Sequence, residues 1–174
     1  MNIILVVLVV LALIVAAAYL LPKHVIVQRS VTIAAPPGTI FPWLNSLKRA
    51  GEWSPWMDRD PDMDITYDGP EEGVGAKMAW TSDKKDVGQG RQEITVCRPD
   101  ERVESALDFG PRGTARAWFD LAPDGEGTKL TWVLDADMGT SPIGRYMGLM
   151  MDRMVGPDYE KGLGRIKALA ENTA

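Results

Sequence analysis

The densest run of carboxylates is Asp58, Asp60, Asp62 and Asp64, alternating through DRDPDMD. Alternating Asp can ligate calcium, but this run fails the helix–loop–helix template. Met63 stands where that loop needs Gly, and Gly69 where it needs a bidentate Glu. A polar loop with side chain-to-backbone turns is the simpler expectation. The chain has one His, His24, and one Cys, Cys97. Neither a multi-histidine zinc site nor a CxxC pair can be built from these, and Ser-His-Asp or Cys-His catalysis would depend on His24 alone. His24 sits between an apolar segment and the first strand, a position that suits an interface better than a general base. No catalytic residue, cofactor or metal is expected. Gly73-x-Gly75 and Gly88-x-Gly90 open no helix, so they read as turn glycines, not as a phosphate cradle.

More of the chemistry lies in apolar side chains. There are six Trp and nine Met in 174 residues. Met147, Met150, Met151 and Met154 recur at helical spacing, and methionine adapts to varied apolar shapes. If that stripe faces strands carrying Trp80, Phe109, Phe119 and Trp132, it either lines a ligand cavity or fills a solid core. Arg91, Arg116, Asp108 and Glu104 are candidates for a polar group in such a pocket. Asp135 and Asp137 fall opposite Trp132 and should face solvent. Trp118 falls opposite Phe119, where it would be an unpaired outward aromatic open to a protein partner. The net charge is −5, a poor match to a nucleic-acid backbone.

These side chains need a scaffold. Ile3 to Leu21 is 19 residues without charge, Pro or Gly. As a helix it would extend roughly 28 Å, close to a bilayer's hydrocarbon core, so residues 1–22 read as a transmembrane anchor. A cleaved signal ending near Ala16-Ala17-Ala18 is the competing reading. Lys23, His24 and Arg29 follow the run, which favours a cytoplasmic domain at an inner membrane; a periplasmic or secreted domain is the alternative. All charged side chains follow Leu21. Residues 23–174 form the domain. Val25–Ile33 alternates as a strand, and Thr39–Arg49 has a short helix's apolar spacing. Six short strands follow: 63–67, 76–81, 90–97, 102–109, 114–121 and 129–138, separated by tight turns. In the strand 90–97, Gln92, Ile94 and Val96 share one face. With no long crossover helix available, the sheet should be an antiparallel meander. Ser141-Pro142 starts a long helix, kinked or broken near Gly156-Pro157, that runs to about Glu171. Such a helix needs a sheet to cover.

Several segments resemble a known family. Arg29-Ser30-Val31-Thr32-Ile33-Ala34-Ala35-Pro36 is similar to its first strand and Ala-Pro turn. Trp53-Ser54-Pro55-Trp56 resembles its tryptophan-rich segment. Tyr67-Asp68-Gly69-Pro70 with Gly73-Val74-Gly75-Ala76, Gly127 to Trp132, and Met151 to Leu163 resemble its second hairpin, last strand and C-terminal helix. The match spans Val25 to Glu171. The family is that of polyketide cyclases/dehydrases and lipid-transport proteins, the SRPBCC group, in its membrane-anchored bacterial form. The resemblance implies an α+β helix-grip fold like START domains and pollen allergens: a curved antiparallel sheet wrapped on a long C-terminal helix. It implies binding of a hydrophobic small molecule or lipid between sheet and helix. The residues expected to line that space are Trp56, Met78, Trp80, Phe109, Phe119, Trp132, Met147 and Met151. Two alternatives stand beside this reading: a cyclase or dehydratase with an inward acid or base, and a non-enzymatic interaction module at the membrane.

Overall fold

A computed structural model describes residues 2–173. The order is α1 (Ile3–Ala18), β1 (His24–Ile33), α2 (Pro37–Leu44), α3 (Ala50–Trp53), α4 (Trp56–Arg59), β2 (Asp64–Asp68), β3 (Lys77–Thr81), β4 (Gln89–Arg98), β5 (Arg102–Asp108), β6 (Thr114–Asp124), β7 (Gly127–Asp137), α5 (Pro142–Gly148) and α6 (Met151–Glu171). The strands form one antiparallel sheet in the order β1-β7-β6-β5-β4-β3-β2. The meander is as the alternation predicts, and β1 closes on β7 through ten residue pairs from His24↔Asp137 to Ile33↔Thr128.

The sheet separates its two faces by chemistry. One inward row runs Val25, Ala136, Ala115, Leu107, Gln92, Met78, Tyr67 across all seven strands. The next holds Val27, Leu134, Ala117, Ser105 and Ile94; a third holds Arg29, Trp132, Phe119, Val103 and Cys97. A β-bulge between Ile94 and Val96 moves Val96 to the outer face opposite Glu104 and turns Cys97 inward opposite Val103. The strict period of two expected for this strand therefore breaks at Thr95, because the extra residue inverts every side chain after it.

Helix α6 crosses β1 and β7 on the inner face. Polar ties hold it there. Arg29 is the one cation in the inward rows, and it donates to Asp152 at 2.8 Å and Glu160 at 2.7 Å. Lys167 donates to the Thr32 carbonyl at 2.6 Å, and Glu171 accepts from the Ala34 amide at 2.8 Å. The expected long helix is broken, but at Leu149–Met150 and not at Gly156-Pro157. Pro157 lies inside α6, where the surrounding packing outweighs the lost hydrogen bond.

The expected transmembrane helix is not obtained. Helix α1 has 16 residues, about 24 Å by helical rise, and stops three residues before the apolar run does. The amides of Tyr19, Leu20 and Leu21 turn back on the carbonyls of Ala16, Ala17 and Ala18, each at 3.1 Å, a tightened turn ahead of Pro22. Among the described residues, no helix is long and apolar enough to cross a membrane.

Candidate functional site

The inner face begins with an aromatic stack. Tyr159 of α6 lies flat on Trp132 of β7, with ring centroids 3.8 Å apart and planes at 9°. Phe119 also stacks on Trp132, with ring centroids 4.8 Å apart. Trp53 and Trp56 meet Trp132 edge-on at 5.3 and 5.7 Å. Helix α6 approaches this closely because Gly162 faces the indole: a Cβ there would lie 2.8 Å from Trp132 Cζ3 and 3.3 Å from Pro55 Cδ. Burial pushes the Tyr159 phenol well above its ordinary value. Trp132 Nε1 is buried and donates to no protein atom among the described residues.

That stack occupies the third inward row. The two rows nearer the N-terminal end of β1 are different. They carry the small residues Ala115, Ala117 and Ala136, and Met151 and Val155 of α6 pack on the same core. Ala117, Leu107, Phe109, Trp80, Met138, Met151 and Val155 are all half-buried, so solvent reaches this end of the inner face. Trp80 meets Phe109 edge-on at 5.9 Å. Gly90, opposite Trp80 in the ladder, lets the indole lie across β4, since any Cβ there would collide with the ring. One polar pair faces this region: Gln92 donates to the Ser105 hydroxyl at 3.1 Å.

The expected lining residues thus divide. Trp56, Phe119 and Trp132 belong to the stack. Trp80, Phe109 and Met151 border the open end, with Met78 beside Gln92 in the outermost row. Met147 is a correction. It is 43% exposed on α5, because the break at Leu149–Met150 splits the methionine stripe between two helices and turns α5 off the sheet. Tyr159 and Trp53 join the stack beside the expected residues; Tyr159 begins the apolar spacing after Pro157.

Of the inward strand positions, only Arg29, Tyr67 and Cys97 are ionisable. Arg29 is taken by its two carboxylates, which hold it above its ordinary value. Burial raises Tyr67 and Cys97, keeping both neutral at physiological pH. Cys97 Sγ lies 3.0 Å from Asn45 Oδ1.

The remaining charged candidates lie on the other face. A groove of about 710 Å³ there is bordered by Lys77, Arg91, Glu93, Asp108, Arg116 and Asp135. Glu104 lies below it, 3.6 Å from Arg102 and 3.7 Å from Arg116. Trp118 is not unpaired: its indole donates to Asp120 at 3.0 Å, and Arg102 and Arg116 lie over the ring at 5.0 and 6.0 Å. This removes the motive for treating it as a bare docking aromatic.

The aspartate run is spent on packing. Asp58 accepts from Arg165 at 2.6 Å and from Lys161 at 2.7 Å, while Arg59 pairs with Asp158, so α4 is clasped to α6 over the stack. Asp60 accepts from Ser82 and lies 3.5 Å from Lys84. The Arg165 and Lys161 bonds hold the Asp58 carboxyl near pH 2, below its ordinary value. A depressed folded value stabilises the clasp above the unfolded value and loses it as pH falls from about 3.8 towards 2. Asp58→Asn is therefore expected to lower the melting temperature at neutral pH and to flatten its decline through that window. Equal slopes for the two proteins, measured by thermal melts in a pH series, would refute the clasp.

No curated protein matches the chain. Among solved structures it is similar to protein CV1439 from Chromobacterium violaceum, with TM-score 0.56 and 19% identity over 84% of this chain and 98% of that one. It is similar to Ara h 8.0201, with TM-score 0.57 and 11% identity over 83% and 99%. It also resembles the di-domain ARO/CYC StfQ from the steffimycin biosynthetic pathway, with TM-score 0.64 and 16% identity over 87% of this chain and 52% of that one. These identities speak to the fold alone. The profile of one family, described as polyketide cyclase/dehydrase and lipid transport, matches residues 24–171, the stretch from the first residue of β1 to the last of α6. With that match covering most of its length, the chain belongs to the polyketide cyclase/dehydrase and lipid-transport family.

Proposed function

We propose that the protein binds a hydrophobic small molecule or lipid at the open end of the sheet–helix space. The observation that carries this reading is the floor of Ala115, Ala117 and Ala136, bordered by half-buried Trp80, Phe109 and Met151. Small side chains under a helix leave room, and half-buried apolar walls around it favour an apolar guest. The Gln92–Ser105 pair offers it one polar anchor. The inward set also favours binding over acid–base chemistry. A cyclase or dehydratase needs a positioned acid and base, and the three inward rows hold no carboxylate or imidazole: Arg29 is paired, and Tyr67 and Cys97, held neutral, offer a proton but no base.

The same reading includes membrane attachment through α1. Its side chains from Ile3 to Val15 are exposed and apolar on every side, which water disfavours and lipid accepts. We infer insertion into the apolar layer, without a full crossing, and the cytoplasmic side of an inner membrane as its place.

The test is a titration with a polyene fatty acid, exciting tryptophan and reading polyene emission. Saturable transfer is expected, because a guest at the open end lies near Trp80. Transfer that grows linearly with added probe, as simple partition into lipid or detergent would give, contradicts the reading.

A further inference from the structure

We propose that α5 and the first turn of α6 form a second lipid-contacting surface, which seats the domain on the face of an anionic bilayer. This rests on the attachment through α1 and goes beyond it, because it fixes which side of the domain meets the membrane. Ile143 is 75% exposed, Leu149 64%, Met150 52%, Met154 50% and Met147 43%. Five large exposed apolar side chains within twelve residues are denser than the scattered exposure of ordinary surfaces.

The patch is fastened to α1. The Tyr146 hydroxyl donates to the Ile14 carbonyl at 2.8 Å. Arg145 reaches the Leu21 carbonyl and donates to Gly139 at 3.0 Å. Ile14 lies one helical turn, about 6 Å, before the end of α1. If α1 enters lipid, α5 lies at the depth of the headgroup boundary, where an apolar side chain with polar neighbours is at home. A bilayer is the one occupant argued for, because α1 is apolar around its whole circumference. A protein partner would cover one side of it; lipid covers all sides and the α5 patch together.

The charges agree. Arg153 projects from the same surface and meets no carboxylate within ion-pair distance among the described residues. Lys23, at the exit from α1, is paired with Asp137 at 3.1 Å and adds no free charge. Asp152, the nearby carboxylate, is bound by Arg29 at 2.8 Å. Arg153, with Arg145, whose guanidinium bonds only carbonyls among the described residues, supplies the cations for anionic headgroups.

The experiment uses the full chain carrying Cys97→Ser, with a fluorophore at Leu149→Cys or Ile143→Cys, or at Glu126→Cys in the distant β6–β7 turn as control. Vesicles are phosphatidylcholine with a minority of phosphatidylglycerol and nitroxide-labelled lipid. The labels at 149 and 143 are expected to shift blue and to be quenched by the lipid; the label at 126 is not. Arg153→Glu is expected to weaken vesicle binding by about fivefold or more, an effect lost in pure phosphatidylcholine. Vesicle binding with unquenched labels at 149 and 143 overturns the α5 surface while leaving α1 attachment standing. A shielded but unquenched label indicates contact between copies of the chain and overturns it too. Failure of the full chain to bind vesicles overturns both.

Discussion

Trp132→Ala should lower the unfolding free energy by about 3–5 kcal/mol, enough to unfold a marginal domain at body temperature. Trp132 is 5% exposed and touches aromatic rings on four elements: Trp53, Trp56, Phe119 and Tyr159. Truncation would leave a cavity that none of them can close, because Tyr159 is held by α6 and Phe119 by β6. Trp132→Phe separates ring packing from the indole N–H. It keeps an aromatic surface for Tyr159 and removes a buried donor with no protein acceptor, a group that costs about 1–3 kcal/mol when unmet. The two terms oppose each other, so Trp132→Phe should fall within about 1 kcal/mol of wild type. Urea unfolding of the three proteins checks this. If Phe costs as much as Ala, the packing account of the stack is wrong.

The second large effect is on binding. Ala117→Phe is expected to reduce affinity for an apolar probe at least about tenfold, a change worth roughly 1.4 kcal/mol. Ala117 points inward between Ser105 and Leu134 and is half-buried, so a larger side chain there enters the space assigned to the guest. The same ring covers Leu134 and Leu107, so stability should hold or rise slightly. Outer-face Arg91→Ala is the paired control, and its probe affinity should match wild type. Loss of binding in both, or in neither, would remove the site from the inner face.

The sheet was legible because alternation on a two-faced sheet is a strong signal: Val25, Val27, Ala115, Phe119, Leu130 and Trp132 all face as their spacing requires. The bulge at Thr95 was not legible. Its neighbours Glu93, Val96 and Cys97 are all half-buried, so the pattern carries no sign of the switch. The break in the long helix was misplaced for a related reason. Gly156-Pro157 is the stronger local signal, but Arg29 lies over Gly156 and Tyr159 is stacked on Trp132, and that packing keeps α6 continuous. Met150, at the actual break, has no breaker's chemistry. The methionine stripe misled in consequence: residues at helical spacing belong to one face only while the helix lasts. The apolar N-terminal run was legible as a helix but not in length, since Pro22 acts backwards on the turn before it. The aromatic stack was half-legible: its tryptophans are plain in the sequence, but their meeting with Tyr159 depends on where α6 crosses the sheet.

The most direct test is native mass spectrometry of the intact chain, released from the membrane fraction in mild detergent, with solvent extraction of what it carries. The wild-type protein is predicted to retain an apolar molecule in stoichiometric amount, and Ala117→Phe to lose it while staying folded. A wild-type chain that emerges with no apolar species, and takes none up when offered lipids and fatty acids, would contradict the proposed site and the function built on it.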